Sequence, residues 1–94
     1  MKNVDNILRY AKHELELMHS ADRPDVPYTN WLIGREKACR KLVEQAEGAP
    51  RGVEARYVLA HYLMDVAVML HTEGESDVQD GVLSFVSEAL REAR

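Results

Sequence analysis

The sequence predicts an all-α fold, a four-helix bundle or a compact four-helix array with antiparallel neighbours and short loops. Four segments carry apolar residues at the spacing of a helix, and none alternates with the two-residue period of a strand. Prolines and glycines separate these segments, and short connections favour antiparallel neighbours. A length of 94 residues fits one domain, residues 1–94.

The first predicted helix covers about residues 3–20. Asn3 or Asp5 is expected to cap it, because both side chains accept hydrogen bonds from free backbone N–H groups. Pro24 and Pro27 exclude a helix from the segment that follows.

The second predicted helix covers about residues 29–47, and Gly48 is expected to end it. Gly34 lies inside this helix, where glycine costs about 1 kcal/mol relative to alanine. We therefore expect a close helix crossing or a kink at Gly34, unless the glycine has no structural purpose.

The third and fourth predicted helices cover about residues 50–73 and 76–93. Residues 76–79 read SDVQ, which is the pattern of a capping box. In such a box the side chain of Gln79 reaches back to the backbone of Ser76.

The third predicted helix contains the most apolar stretch of the chain, residues 57–70. Glu54, His61, Asp65 and Thr72 fall within about 40° of one another on a helical wheel, and we call this set the polar seam. A seam is typical of one helix edge facing water, so His61 and Asp65 are interpreted as a solvated pair. The alternative is a buried acid–base or ligand pair.

A helix that is apolar over most of its circumference needs partners on several sides. We expect either that the other three helices cover it, or that an apolar shoulder beside the seam binds a second copy or another protein. Trp31, next to the proline segment, either anchors that segment to the core or lies at an interface. The protein-interface candidates are Tyr28, Trp31, Tyr57, Tyr62, Met64 and Met69.

Charge and cysteine content restrict the class of protein. The formal net charge is −4, which disfavours binding to a phosphate backbone through bulk charge, and the basic residues near Arg40 alternate with acids. The single cysteine, Cys39, excludes an intramolecular disulfide and fits a reducing cytoplasm. The chain carries neither an apolar signal core nor a membrane-spanning run, so we expect a cytoplasmic protein that does not bind membranes.

Most catalytic and metal-binding motifs are missing from the sequence. Glu16 and His19 have the E-x-x-H spacing of carboxylate-bridged metal bundles, but such a site needs a second copy of the motif. There is no nucleophile elbow and no glycine-rich phosphate loop. We predict no metal and no cofactor.

Glu44-Gln-Ala-Glu47, followed by Tyr62-Leu-Met-Asp65, resembles the paired E-x-x-E and E-x-x-D motifs of the MazG-type nucleotide pyrophosphohydrolases. The resemblance covers residues 44–65 and implies Mg²⁺ held by Glu44, Glu47 and Asp65 against a nucleoside triphosphate. Tyr62 departs from the motif, because it stands where the family has an acid. A phenol is not an ordinary ligand of Mg²⁺.

Arg56-Tyr-Val-Leu-Ala-His61 is similar to the R-x4-H signature of the helical HEPN ribonucleases. The resemblance implies that Arg56 and His61 act on a scissile phosphate. On a helical wheel the two residues lie about 140° apart.

The sequence thus favours a small non-catalytic interaction protein over an enzyme. We expect it to regulate or inhibit a partner protein by docking an apolar helical face, and to self-associate. The alternative is a pyrophosphohydrolase with a degenerate motif or, less favoured, a ribonuclease.

Overall fold

The computed structural model describes residues 2–18 and 29–94. Within these residues the chain forms four helices, is 83% helical and contains no strand, as a four-helix bundle requires. The helices are α1 (Val4–Met18), α2 (Asn30–Gly48), α3 (Ala55–Thr72) and α4 (Ser76–Glu92). The predicted fold class is confirmed.

Asn3 caps α1 as predicted, and Thr29 caps α2. The Asn3 side chain accepts hydrogen bonds from the backbone N–H groups of Asp5 (3.0 Å) and Asn6 (3.3 Å). The Thr29 hydroxyl accepts one from the backbone N–H of Leu32 (3.3 Å). Both side chains satisfy donors that the first helical turn leaves unpaired.

Helix α3 begins five residues later than predicted, at Ala55. The preceding segment turns at Gly52, whose φ of 81° suits glycine better than any other residue. The segment then pairs with the N-terminus of the chain. Val4 donates its N–H to the Val53 carbonyl at 2.8 Å, and Ala55 donates to the Lys2 carbonyl at 3.0 Å.

Helices α2 and α4 cross in direct backbone contact at two glycines. A Cβ atom on Gly34 would lie 2.0 Å from the Val78 carbonyl oxygen, and a Cβ on Gly81 would lie 2.0 Å from the Trp31 carbonyl oxygen. The close crossing predicted at Gly34 is confirmed. No sequence feature predicts that Gly81, its counterpart on α4, also lies at the crossing.

A short turn joins α3 to α4, and Gln79 holds it. The predicted capping box does not form, because the Gln79 amide donates to the carbonyls of Leu70 (3.2 Å) and Glu73 (2.7 Å). Gln79 therefore ties the start of α4 to the end of α3 instead of capping its own helix.

All four helices contribute to one apolar core. Tyr10 stacks on Phe85 with ring centroids 6.1 Å apart, which links α1 to α4. The largest fully buried side chains are Tyr62, Phe85, Ile7, Leu42, Val82 and Cys39.

Candidate functional site

One side of α3 is apolar and exposed. Tyr57 is 56% exposed, Met64 68% and Val68 64%, although these side chains are among the larger apolar ones of the chain. They lie on the side of α3 that faces away from the core. We call this side the α3 outer face, and it consists of Tyr57, Ala60, His61, Met64, Ala67, Val68 and His71.

The α3 outer face arises because Tyr62 points into the core. Its side chain is fully buried, and its hydroxyl donates a hydrogen bond of 2.8 Å to the Ala38 carbonyl on α2. Burial raises the pKa of the Tyr62 phenol above its ordinary value, so the group stays a neutral donor. The interface role predicted for Tyr62 is therefore wrong.

Burying Tyr62 turns α3 by about 80° from the predicted orientation on the helical wheel. The polar seam was expected to face water, with Leu63, Ala60 and Ala67 toward the core. Instead all three of these apolar residues are exposed. The core side of α3 is centred on Tyr62 and Val66, and of the seam residues Asp65 and His61 lie toward α2.

Charges on α3 leave the outer face nearly neutral. Asp65, the one carboxylate within α3, is half-buried and accepts a hydrogen bond from the Gln45 amide on α2. Arg56 pairs with Glu54 at 2.6 Å, and its guanidinium stacks on the Tyr57 ring at 5.1 Å. The outer face thus has no exposed carboxylate, in a chain whose net charge is −4.

A groove of about 620 Å³ lies between the C-terminal half of α2 and the N-terminal half of α3. Its edge carries the ion pair of Lys41 and Glu44, 3.0 Å apart. The hydrogen bond that the Lys41 ammonium donates to the Glu44 carboxylate raises the pKa of Lys41. Tyr57 and His61 line the groove and also belong to the α3 outer face. The other lining residues are Gln45, Gly48, Ala49, Pro50, Val53 and Val58.

The three carboxylates of the pyrophosphohydrolase motif have separate partners. Glu44 pairs with Lys41, Glu47 pairs with Lys12 of α1 at 3.3 Å, and Asp65 is bonded to Gln45. Over residues 2–18 and 29–94, no three His, Cys, Asp or Glu side chains converge as metal ligands would. This part of the structure does not bring the predicted magnesium ligands together.

The two residues of the ribonuclease signature have different surroundings. Arg56 is exposed and bound to Glu54, whereas His61 borders the groove toward α2. The predicted solvated pair of His61 and Asp65 does not form in the described part of the chain. The Asp65 carboxylate accepts a hydrogen bond from the Gln45 amide instead.

The remaining interface candidates have distinct positions. Trp31 is 43% exposed and lies below the guanidinium of Arg35, 5.1 Å from the ring centroid. Met69 is partly buried against the core, so it is not on the α3 outer face. Tyr28 and His19 lie outside the described residues.

The sequence alone does not predict the role of Arg35. It is 8% exposed, and its guanidinium donates to both oxygens of Glu88 (3.2 and 2.7 Å) and to the Ser84 hydroxyl (2.9 Å). The signal available was the spacing of Ser84 and Glu88, four residues apart on one face of α4. The cluster joins α2 to α4 next to their crossing.

Comparisons with known proteins give no relative. No protein-family model, curated protein or solved structure matches the chain. Among the described helices, none combines the length and the apolar character needed to cross a lipid bilayer.

Proposed function

We propose that this chain is a non-catalytic interaction protein that regulates or inhibits a partner by binding through the α3 outer face. The observation that carries the proposal is the exposure of Tyr57, Met64 and Val68 on one side of a single helix. Exposed apolar patches of this kind mark binding sites more often than scattered single residues do.

The shape of the outer face fits an apolar helix of the partner. Its members recur at intervals of three and four residues from Tyr57 to His71, which is the spacing of a helix-pairing seam. Ala60 and Ala67 are small, so a second helix backbone can approach α3 closely at both positions. An extended peptide or a small molecule would not use this periodic arrangement.

The charge of the outer face restricts the partner further. Because the face has no exposed carboxylate, a strongly basic helix gains no ion pair there, and Arg56 beside the face is already paired with Glu54. We therefore propose that the partner presents an amphipathic helix whose contact face carries little net charge.

A photoactivatable cross-linking side chain at position 64 tests this proposal. In the cells that make the protein, Met64 on the outer face would be replaced by the cross-linker, and Leu83 of α4, which is 47% exposed, would serve as the matched position. We expect one discrete adduct from position 64 and none from position 83. Mass spectrometry should place the partner's cross-linked residue on an apolar helix face.

A second variant distinguishes an adduct formed by specific binding from one formed by random collision. Val68→Glu places a charge on the outer face and should remove the adduct at position 64 while the helical circular dichroism stays unchanged. The proposal fails if positions 64 and 83 give the same adducts, if neither gives any, or if Val68→Glu has no effect.

A further inference from the structure

We infer that the partner helix is α3 of a second copy, paired antiparallel about a two-fold axis at Met64. This inference rests on the proposed function and names its partner. Met64 is the most exposed large apolar side chain of the described residues, at 68%. It is also the midpoint of the outer face, seven residues after Tyr57 and seven before His71.

Side-chain sizes on the two sides of Met64 are complementary. In an antiparallel pair with its axis at Met64, Ala60 of one copy lies level with Val68 of the other, and His61 lies level with Ala67. Each level therefore joins one small and one larger side chain, as close packing of facing helices requires. A parallel pair would instead set each alanine against its own copy and leave a gap there.

The charges favour the same arrangement. Across this axis His71 of one copy lies level with Tyr57 of the other, so the imidazole meets an aromatic ring. A parallel pair would set the His71 side chains of the two copies against each other. Antiparallel helices also oppose their macrodipoles, whereas parallel helices align them.

The size of the contact predicts a weak dimer. An 18-residue helix is about 27 Å long and, with side chains, about 11 Å wide. The projected area of one side of α3 is therefore about 300 Å². Stable interfaces bury about 800 Å² on each partner. We therefore expect a monomer–dimer equilibrium at micromolar or higher protein concentration, and the experiment must be done in that range.

Cysteine cross-linking of the purified full chain tests the arrangement. Facing Cα atoms of closely packed helices lie within the 4.4–6.8 Å that a disulfide spans, so Met64→Cys should form a symmetric covalent dimer on air oxidation. Tyr57→Cys should not, because its two copies are offset by fourteen residues, about 21 Å along the helices. A mixture of Tyr57→Cys and His71→Cys should form the mixed dimer.

Leu83→Cys, on the exposed side of α4, is the matched control, and native Cys39 remains in every variant because it is buried. We expect Met64→Cys to give at least about tenfold more covalent dimer than Leu83→Cys. Equal dimer from these two variants overturns the inference. Self-linking of Tyr57→Cys as fast as Met64→Cys overturns the antiparallel arrangement.

The outcome is separable from that of the proposed function. If Met64→Cys stays monomeric while the cross-linker at position 64 captures a different protein on an apolar helix, the second copy is the wrong partner and the proposed function stands. If position 64 gives neither a self-adduct nor a foreign one, both fail.

Discussion

At the scale of single residues, Gly34 and Gly81 hold the α2–α4 crossing by having no side chain. The atoms that a Cβ would meet are backbone carbonyl oxygens, Val78 at one glycine and Trp31 at the other. A backbone atom cannot move aside as a flexible side chain can. Relief therefore requires the two helices to separate, which would also disturb the cluster around Arg35.

We predict that Gly34→Ala lowers the free energy of unfolding by about 3 kcal/mol, the upper part of the range for overpacking, and that Gly81→Ala acts similarly. Urea denaturation measures both. Gly48→Ala is the matched control, because it adds a Cβ to the same helix where nothing lies within 4 Å. It should leave stability unchanged or raise it by up to about 1 kcal/mol. Equal effects of Gly34→Ala and Gly48→Ala would contradict the crossing.

Cys39 is a second residue whose surroundings determine its chemistry. Its thiol is buried and donates to the Ala11 carbonyl at 3.1 Å. Burial, assisted by the charge of Glu14, raises the pKa of Cys39 to about 12. The thiol is therefore a packed, protonated group rather than a reactive one.

This pKa predicts a loss of stability at alkaline pH. An unfolded chain releases the thiol proton above about pH 8.5, whereas the folded chain keeps it up to about pH 12, so ionisation favours unfolding in between. We expect the free energy of unfolding to fall by about 1–2 kcal/mol from this group between pH 8.5 and pH 10. Urea denaturation across this range should show a shallower decline in Cys39→Ala. Identical slopes in the two proteins would contradict the assignment.

At the scale of elements, the sequence predicts where helices lie better than how they are turned. Asn3 correctly predicts the start of α1, because a capping side chain acts on the backbone of its own first turn. The late start of α3 depends on pairing between residues 2–4 and 53–55, which is not local. The rotation of α3 depends on the Ala38 carbonyl accepting the Tyr62 hydroxyl, a contact between residues 24 positions apart.

The same limit explains the outcome for the candidate site. Tyr57 and Met64 were found because an apolar shoulder is visible on a helical wheel without knowing its partners. Ala60 and Ala67 were missed, because the wheel placed them toward the core. Polarity alone predicts that the polar seam is the solvent-exposed edge of α3. In the fold Tyr62 is buried instead of Leu63, because the Ala38 carbonyl accepts the hydrogen bond of the Tyr62 hydroxyl.

The rotation of α3 predicts different effects for two tyrosines of one helix. Tyr62→Phe removes a buried hydrogen bond and should lower the free energy of unfolding by about 1 kcal/mol. Tyr57→Phe removes an exposed hydroxyl and should change it by less than about 0.5 kcal/mol. Urea denaturation of both variants decides the point. If Tyr57→Phe were the more destabilising, α3 would be turned as the seam had predicted.

At the scale of the whole molecule, α3 and the α2–α4 pair differ in how they are packed. Helices α2 and α4 are joined by backbone contact at Gly34 and Gly81 and by the bonds of Arg35, so they form the most closely packed part of the bundle. Helix α3 buries one side on this part and leaves an apolar side exposed. Binding a second copy would cover that side, so the stability of α3 should depend on protein concentration.

Hydrogen exchange measures this dependence directly. Pairing of α3 adds a term that grows with the logarithm of protein concentration. At a total concentration ten times the dissociation constant, about one fifth of the chain is monomeric, so amides of residues 59–70 should exchange about fivefold more slowly. Amides in the last turn of α4 open by fraying at the chain end and should not change. Met64→Glu should abolish the concentration dependence, because it places a charge at the two-fold axis. If α3 exchanged at one rate across the whole concentration range, its outer face would not be covered by a second copy.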